Sequence, residues 1–120
     1  HMTGRSDLTD SAEKALSAFS AKMTAAPTSL PQMLVAALLA ATPPRQIVLG
    51  GSREALTPFR DVLRTRFLPF HILLWSGSAG INPELRNMQG VNGSSAAYVC
   101  ENFTCNLPVT EAADLTRLLP

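Results

Sequence analysis

The only two thiols of the chain, Cys100 and Cys105, stand in the stretch AAYVCENFTCNLPVT with four residues between them. A pair so spaced can act as a redox couple, contribute half a metal site, staple a hairpin, or pack as two small side chains beneath one. On facing strands of a regular hairpin their Cα atoms come within about 5.5 Å, which suits a disulfide. Closing so short a loop removes little entropy from the unfolded chain, so such a bond is open to reduction and exchange. Thiolate chemistry needs a lowered pKa. The nearest basic residues in sequence are Arg86 and Arg117, and Glu101 acts in the opposite direction, so a structural pair is favoured over a redox pair. A metal needs about four ligands, and beyond the two thiols the chain offers only His71 and His1. No metal and no cofactor is expected.

A second group is Gly50, Gly51, Ser52 and Arg53, placed between a β-branched run and a helical pattern. Backbone N–H groups at such a turn, with Arg53 beside them, can hold an anion. The spacing is that of neither a dinucleotide nor a nucleotide-phosphate fingerprint, and a tight turn with Ser52 as helix cap accounts for the same residues. Arg53, Arg60 and Arg64 fall on one helical stripe and read as a solvated face, with Glu54 and Asp61 beside them. His71 reads as structural and Trp75 as core. With a single histidine outside the first residue, no Ser-His-Asp set is indicated and no catalytic residue is assigned. Asn92 and Asn102 each open a glycosylation sequon, which matters only in a secreted protein.

These residues need a scaffold. Leu8, Ala12, Ala15, Leu16, Phe19 and Met23 recur at the spacing of one helix face, and Pro27 stops that helix. Thr28 or Ser29 can cap a second, with Pro31 in its first turn; this one is apolar nearly all round and runs to about Thr42. RQIVLGG reads as a buried strand entering a tight turn. Across 53–66, Ala55, Leu56, Phe59, Val62 and Leu63 share an apolar arc, and Pro58 implies a kink or a helix that tightens only from Thr57, with Thr57 as cap. FHILLW supplies a second strand, so strand-helix-strand implies a parallel, right-handed crossover. The Gly-, Ser- and Asn-rich 76–95 has room for one short helix capped by Asn82. AAYVCE and TCNLPV form a hairpin, and Thr110 caps a last helix. Strands are thus expected near 46–50, 70–75, 96–101 and 104–108, and helices at 53–66 and 110–118.

With 120 residues the chain is one domain's worth of sequence, and its ten basic and nine acidic residues give a net charge of +1. No field of that size recruits nucleic acid or an anionic membrane. The longest apolar run, 33–41, falls short of the roughly 20 residues of a membrane span. Charged residues make up only 16% and apolar ones 46%, a balance that points to a surface normally covered by something else.

LPQML, RQIVLGG, RFLP and above all AAYVCENFTCNLPVTEAADLTRLL resemble the carboxy-terminal end of the spermatogenesis-associated protein 20 family. The resemblance implies a longer protein in which a thioredoxin-like domain precedes a helical toroid and a small α/β module closes the chain. It divides this sequence into a tag and disordered lead-in at 1–7, a helical hairpin at 8–42 that ends the toroid, and an α/β module at 43–120. The fold class is α/β: the hairpin, then a small mixed sheet with a parallel strand-helix-strand unit and an antiparallel Cys hairpin, then a C-terminal helix. The function implied is that of a non-catalytic structural or interaction module, its partners being the upstream thioredoxin-like and toroid domains, with self-association of the isolated chain, and no nucleic acid or membrane. The alternatives are a thiol-disulfide module using Cys100 and Cys105, and an anion or small-ligand site at Gly50-Gly51-Ser52. A cytoplasmic setting is favoured, with secretion the alternative.

Overall fold

The computed structural model describes residues 5–42, 44–78, 80, 83–101 and 104–120. The chain divides into two compact units, Thr3–Pro43 and Pro44–Pro120.

The first unit is a pair of helices. Helix α1, Ser6–Ala25, starts two residues before the expected Leu8, with Arg5 bonded to Asp7 at its entrance. Pro27–Ser29 forms a single 3-10 turn, and α2 follows at Pro31–Ala41. Neither Thr28 nor Ser29 caps α2. The Ser29 hydroxyl instead donates to Ala26 O at 2.7 Å, so Leu30 occupies the cap position without a side-chain bond. No residue of α1 or α2 is buried. Among the described residues no helix is long and apolar enough to cross a membrane.

The second unit is a four-stranded mixed sheet. Strand β1 is Arg45–Gly50, α3 is Thr57–Arg64, and β2 is His71–Trp75. Strand β3 is Ala96–Glu101, β4 is Thr104–Cys105, and α4 is Ala112–Leu118. The strand order is β2-β1-β3-β4, with β1 parallel to β2 and antiparallel to β3. This is the expected α/β class, with α3, β4 and α4 each shorter than the sequence pattern by two residues or more.

Helix α3 begins at Thr57, the later of the two starts that Pro58 allowed, and not at Arg53; Leu56 rather than Thr57 is its cap. Pro58 has no N–H, and its ring would meet the carbonyl of Glu54 in any longer helix, so 53–56 forms turns. Strand β4 ends at Cys105 instead of 108. Asn106 N–H still donates to Val99 O at 2.9 Å, but the next exchange is between Val109 and Ala97, at 2.8 and 3.0 Å. Two residues of β3 are therefore spanned by three of the partner strand. That extra residue is a bulge at Leu107-Pro108, where Pro108 has no donor to give and Leu107 is thrown into solvent. Because Val109 remains in the ladder, extended backbone persists to Glu111, which caps α4 in place of Thr110.

The core lies on both faces of the sheet. Ile47, Leu49, Ala97 and Val99 pack against Leu56, Phe59, Leu115 and Leu119 on the helical face. Val48 and Leu74 meet Leu85, from a 3-10 turn at Pro83–Asn87, on the other. The Asn82 cap expected for that turn lies outside the described residues. Each large side chain so buried is worth about 1.5–3 kcal/mol relative to exposure.

Candidate functional site

Strand pairing places the cysteines directly opposite each other, Cys100 against Cys105. Because the neighbouring position carries the Asn106-to-Val99 hydrogen bond, the cysteine row is a non-hydrogen-bonded one, where antiparallel backbones approach most closely. The Cα atoms are 3.9 Å apart, nearer than the spacing of a regular hairpin suggested, and the sulfurs are joined in a disulfide. Two free thiols packed beneath the hairpin is therefore not the arrangement found. Cys100 is buried at 5% exposure, whereas Cys105 is exposed on the last strand.

Electrostatics at the hairpin differs from the linear sequence in one respect. Arg86 and Arg117 are the nearest cations along the chain, yet the β1–β3 register brings Arg45 to the site, 3.2 Å from Glu101. Glu101 is thus neutralised by a residue more than fifty positions away. Arg45 is also the register partner of His71 on β2. His71, Arg45 and Glu101 form a row across three strands that no local sequence signal announced; only the pairing of FHILLW with RQIVLGG could have found it. Burial holds the His71 imidazole below its ordinary pKa, Arg45 pushes in the same direction, and Glu101 opposes them. Neither ring nitrogen has a hydrogen-bond partner among the described residues.

Gly50, Gly51, Ser52 and Arg53 come together as a turn, but not at a helix start, since α3 begins five residues after Ser52. A Cβ on Gly50 would lie 2.6 Å from the carbonyl carbon of Gln89, and Gly51 has φ of +135°, so both glycines are demanded by the backbone. The Ser52 hydroxyl accepts the Ala55 N–H at 3.3 Å. Trp75, at the end of an edge strand, is half-buried and packs against the rim of the core, and its indole N–H donates to Gly51 O at 3.0 Å. Arg53 leaves the stripe expected with Arg60 and Arg64: its guanidinium lies over the Trp75 ring, 4.5 Å from the centroid. The Gly51 carbonyl, the Ser52 hydroxyl and the Arg53 guanidinium thus each have a partner within the fold. Among the described residues, no group of three or more His, Cys, Asp and Glu side chains is placed to hold a metal.

The first sequon is a turn, with Asn92 at φ 50° and Gly93 at φ 80° between the bridged Val91 and Ser94. Asn102 lies outside the described residues.

Over 125 aligned residues, 98% of this chain, human spermatogenesis-associated protein 20 is 29% identical. This chain is similar to one part of that protein. The rat spermatogenesis-associated protein 20 is 27% identical and the mouse protein 26%, each again across 98% of the chain. The chain spans about 16% of the length of these relatives, so it corresponds to one part of a much larger protein. No protein-family model and no solved structure matches it. The resemblance carried by the YVCEN hairpin thus extends through the spermatogenesis-associated protein 20 relatives to both units of the chain.

Proposed function

We propose that this chain is a non-catalytic structural and interaction module of a longer protein, in which α1 and α2 seat on neighbouring helices supplied by that protein. The observation that carries this reading is the contrast between composition and burial in α2. The helix PQMLVAALLAA has no buried residue, and Leu34, Val35, Leu38 and Leu39 are 38–53% exposed. A helix apolar on all sides is normally covered on more than one of them. In the spermatogenesis-associated protein 20 relatives the remaining five sixths or so of the chain is the natural source of the cover; a thioredoxin-like domain and a helical toroid are the domains this reading assigns there.

The test is hydrogen exchange on α2 in the 120-residue chain and in the full-length protein. Weak protection in the former and strong protection in the latter supports the reading. Equally fast exchange in both would sink it, since no surface would then be covering the helix. Leu34→Lys with Leu38→Lys should likewise leave the α/β unit folded while destabilising the full-length protein.

The disulfide favours a second reading, that of a thiol-disulfide module. Two thiols, Cys100 and Cys105, give up two protons and two electrons as the Sγ–Sγ bond forms, and a partner disulfide, such as one in a thioredoxin-like domain, accepts them. Exposure of Cys105 supports this, because an attacking thiolate needs access to one of the sulfurs. Absence of any thiol exchange between this pair and the rest of the full-length protein would remove this reading while leaving the first intact.

A further inference from the structure

The outer edge of β2 is the one long, regular strand edge of the sheet, and the strand order leaves it without a neighbour among the described residues. Its sequence, HILLW, contains no proline, no lysine and no acidic residue, the devices by which proteins blunt an edge. The opposite edge is treated differently. There β4 is two residues long, bulged at Leu107-Pro108 and clipped by a disulfide. Leu73, in the middle of β2, is 52% exposed.

Beside this edge, on the helical face, lies a cavity of about 250 Å³ lined by Ile47, Leu63, Arg66, Leu68, His71 and Leu73. Four of these side chains are apolar, and none of the six is a carboxylate. The two unpartnered nitrogens of His71 belong to one of its walls. Arg66 stands in the same lining, with Nη1 donating to the terminal Pro120 O at 2.8 Å and its other guanidinium N–H groups left to a ligand. At the other end of β2 the Arg53 guanidinium lies over Trp75. A recess thus flanks the His71–Leu73 part of an unpaired strand with Arg66 in its lining, and a second cation, Arg53, lies over Trp75 where the strand ends.

From this arrangement we infer that the β2 edge is a docking site for an extended peptide that adds as a fifth strand, its central apolar side chain in the recess beside Leu73 and its flanking acidic residues at Arg53 and Arg66. Backbone N–H and C=O groups of β2 supply the ladder, alternate peptide side chains reach the recess, and charge selects the partner. Unlike the hairpin reading, this surface depends on β2, so the two fail separately.

The probe is a fluorescein-labelled, end-blocked peptide of alternating valine and threonine flanked by glutamates, titrated into the 120-residue chain and read by fluorescence anisotropy. Lysine-flanked and backbone N-methylated versions serve as comparisons. Saturable binding of the glutamate peptide, at least about tenfold weaker with lysine flanks at low salt and lost on N-methylation, is the expected result. Arg66→Glu should invert the charge preference. Leu73→Lys, and Leu73→Thr should the former fail to fold, should weaken every peptide. No binding up to about 1 mM overturns the inference, as does binding indifferent to N-methylation. It is also overturned if sedimentation shows a dimer that Leu73→Lys dissolves, for the edge then belongs to a second copy.

Discussion

The two units of this chain use apolar residues to opposite ends. In the α/β unit, Phe59, Ile47, Leu115 and Val48 are fully buried and distributed over both faces of one sheet. In the helical pair, residues of the same kind stay exposed, Phe19 at 45% and Leu38 at 52%. The first unit to be made by the chain thus holds no core, and the second holds one of its own. What this teaches is that amphipathic periodicity alone does not say where the partner of an apolar face comes from. The α3 stripe is answered within 60 residues of sequence by β1, β3 and α4, whereas α2 presents apolar residues in every direction and buries none.

The largest expected effect breaks or confirms that contrast directly. Phe59→Ala should cost about 3–5 kcal/mol in urea denaturation, because it removes a ring from a close-packed core that only partly collapses. Leu38→Ala, in a half-exposed position of α2, should stay within about 0.5 kcal/mol in the isolated chain. Equal losses at the two sites would mean the helices share the core after all.

A second effect, about 1–3 kcal/mol, is expected from Gly50→Ala, since the new methyl would sit 2.6 Å from the Gln89 carbonyl carbon and the 88–89 backbone would have to move. The measurement is again equilibrium denaturation. A neutral result would show that this segment is loosely held against the sheet.

How much of this was legible in the sequence follows the range of the interactions. Strands β1, β2 and β3 were legible because their runs of apolar residues are bounded by glycine, proline and polar loops. The stripe of α3 was legible in Phe59, Val62 and Leu63, and Pro58 already offered Thr57 as one of two starts; only the cap, Leu56 and not Thr57, escaped the pattern. The end of β4 was hidden as well: TCNLPV alternates well enough to read as strand, and only the unpaired nitrogen of Pro108 forces the bulge. Arg45 beside Glu101, Arg53 on Trp75 and the closure of the Gly50 turn by Gln89 all depend on register or on loops that return from afar, which no window of sequence contains.

Of the same order is the effect of the hairpin clip. Cys100→Ser with Cys105→Ser should cost about 1–3 kcal/mol, confined to the α/β unit, and the wild-type chain under reducing conditions should match the double variant. The activity of the full-length protein should be unchanged if the bond is structural. Should stability barely move while that activity disappears, the thiol-disulfide reading takes precedence.

The smallest effect distinguishes the units by pH. Burial and Arg45 hold the His71 imidazole below its ordinary value, with Glu101 in partial opposition, so the unfolded chain takes up this proton at a higher pH than the folded one. Where the unfolded state binds more protons, stability rises with pH. His71 therefore contributes its full share above about pH 6.5, and that share is lost as the pH falls from there through the folded-state value. The window from about pH 7.5 to 5 lies above the ordinary carboxylate range, and α1 and α2 have no histidine, so the part of the decline due to His71 belongs to the α/β unit. Urea midpoints across this window should fall in the wild-type chain and stay nearly level in His71→Gln. Added salt should relieve the part due to Arg45 and leave the part due to burial, because screening acts on charge pairs and not on desolvation. A decline that survives His71→Gln would remove the imidazole from this account and place the titrating group elsewhere in the chain.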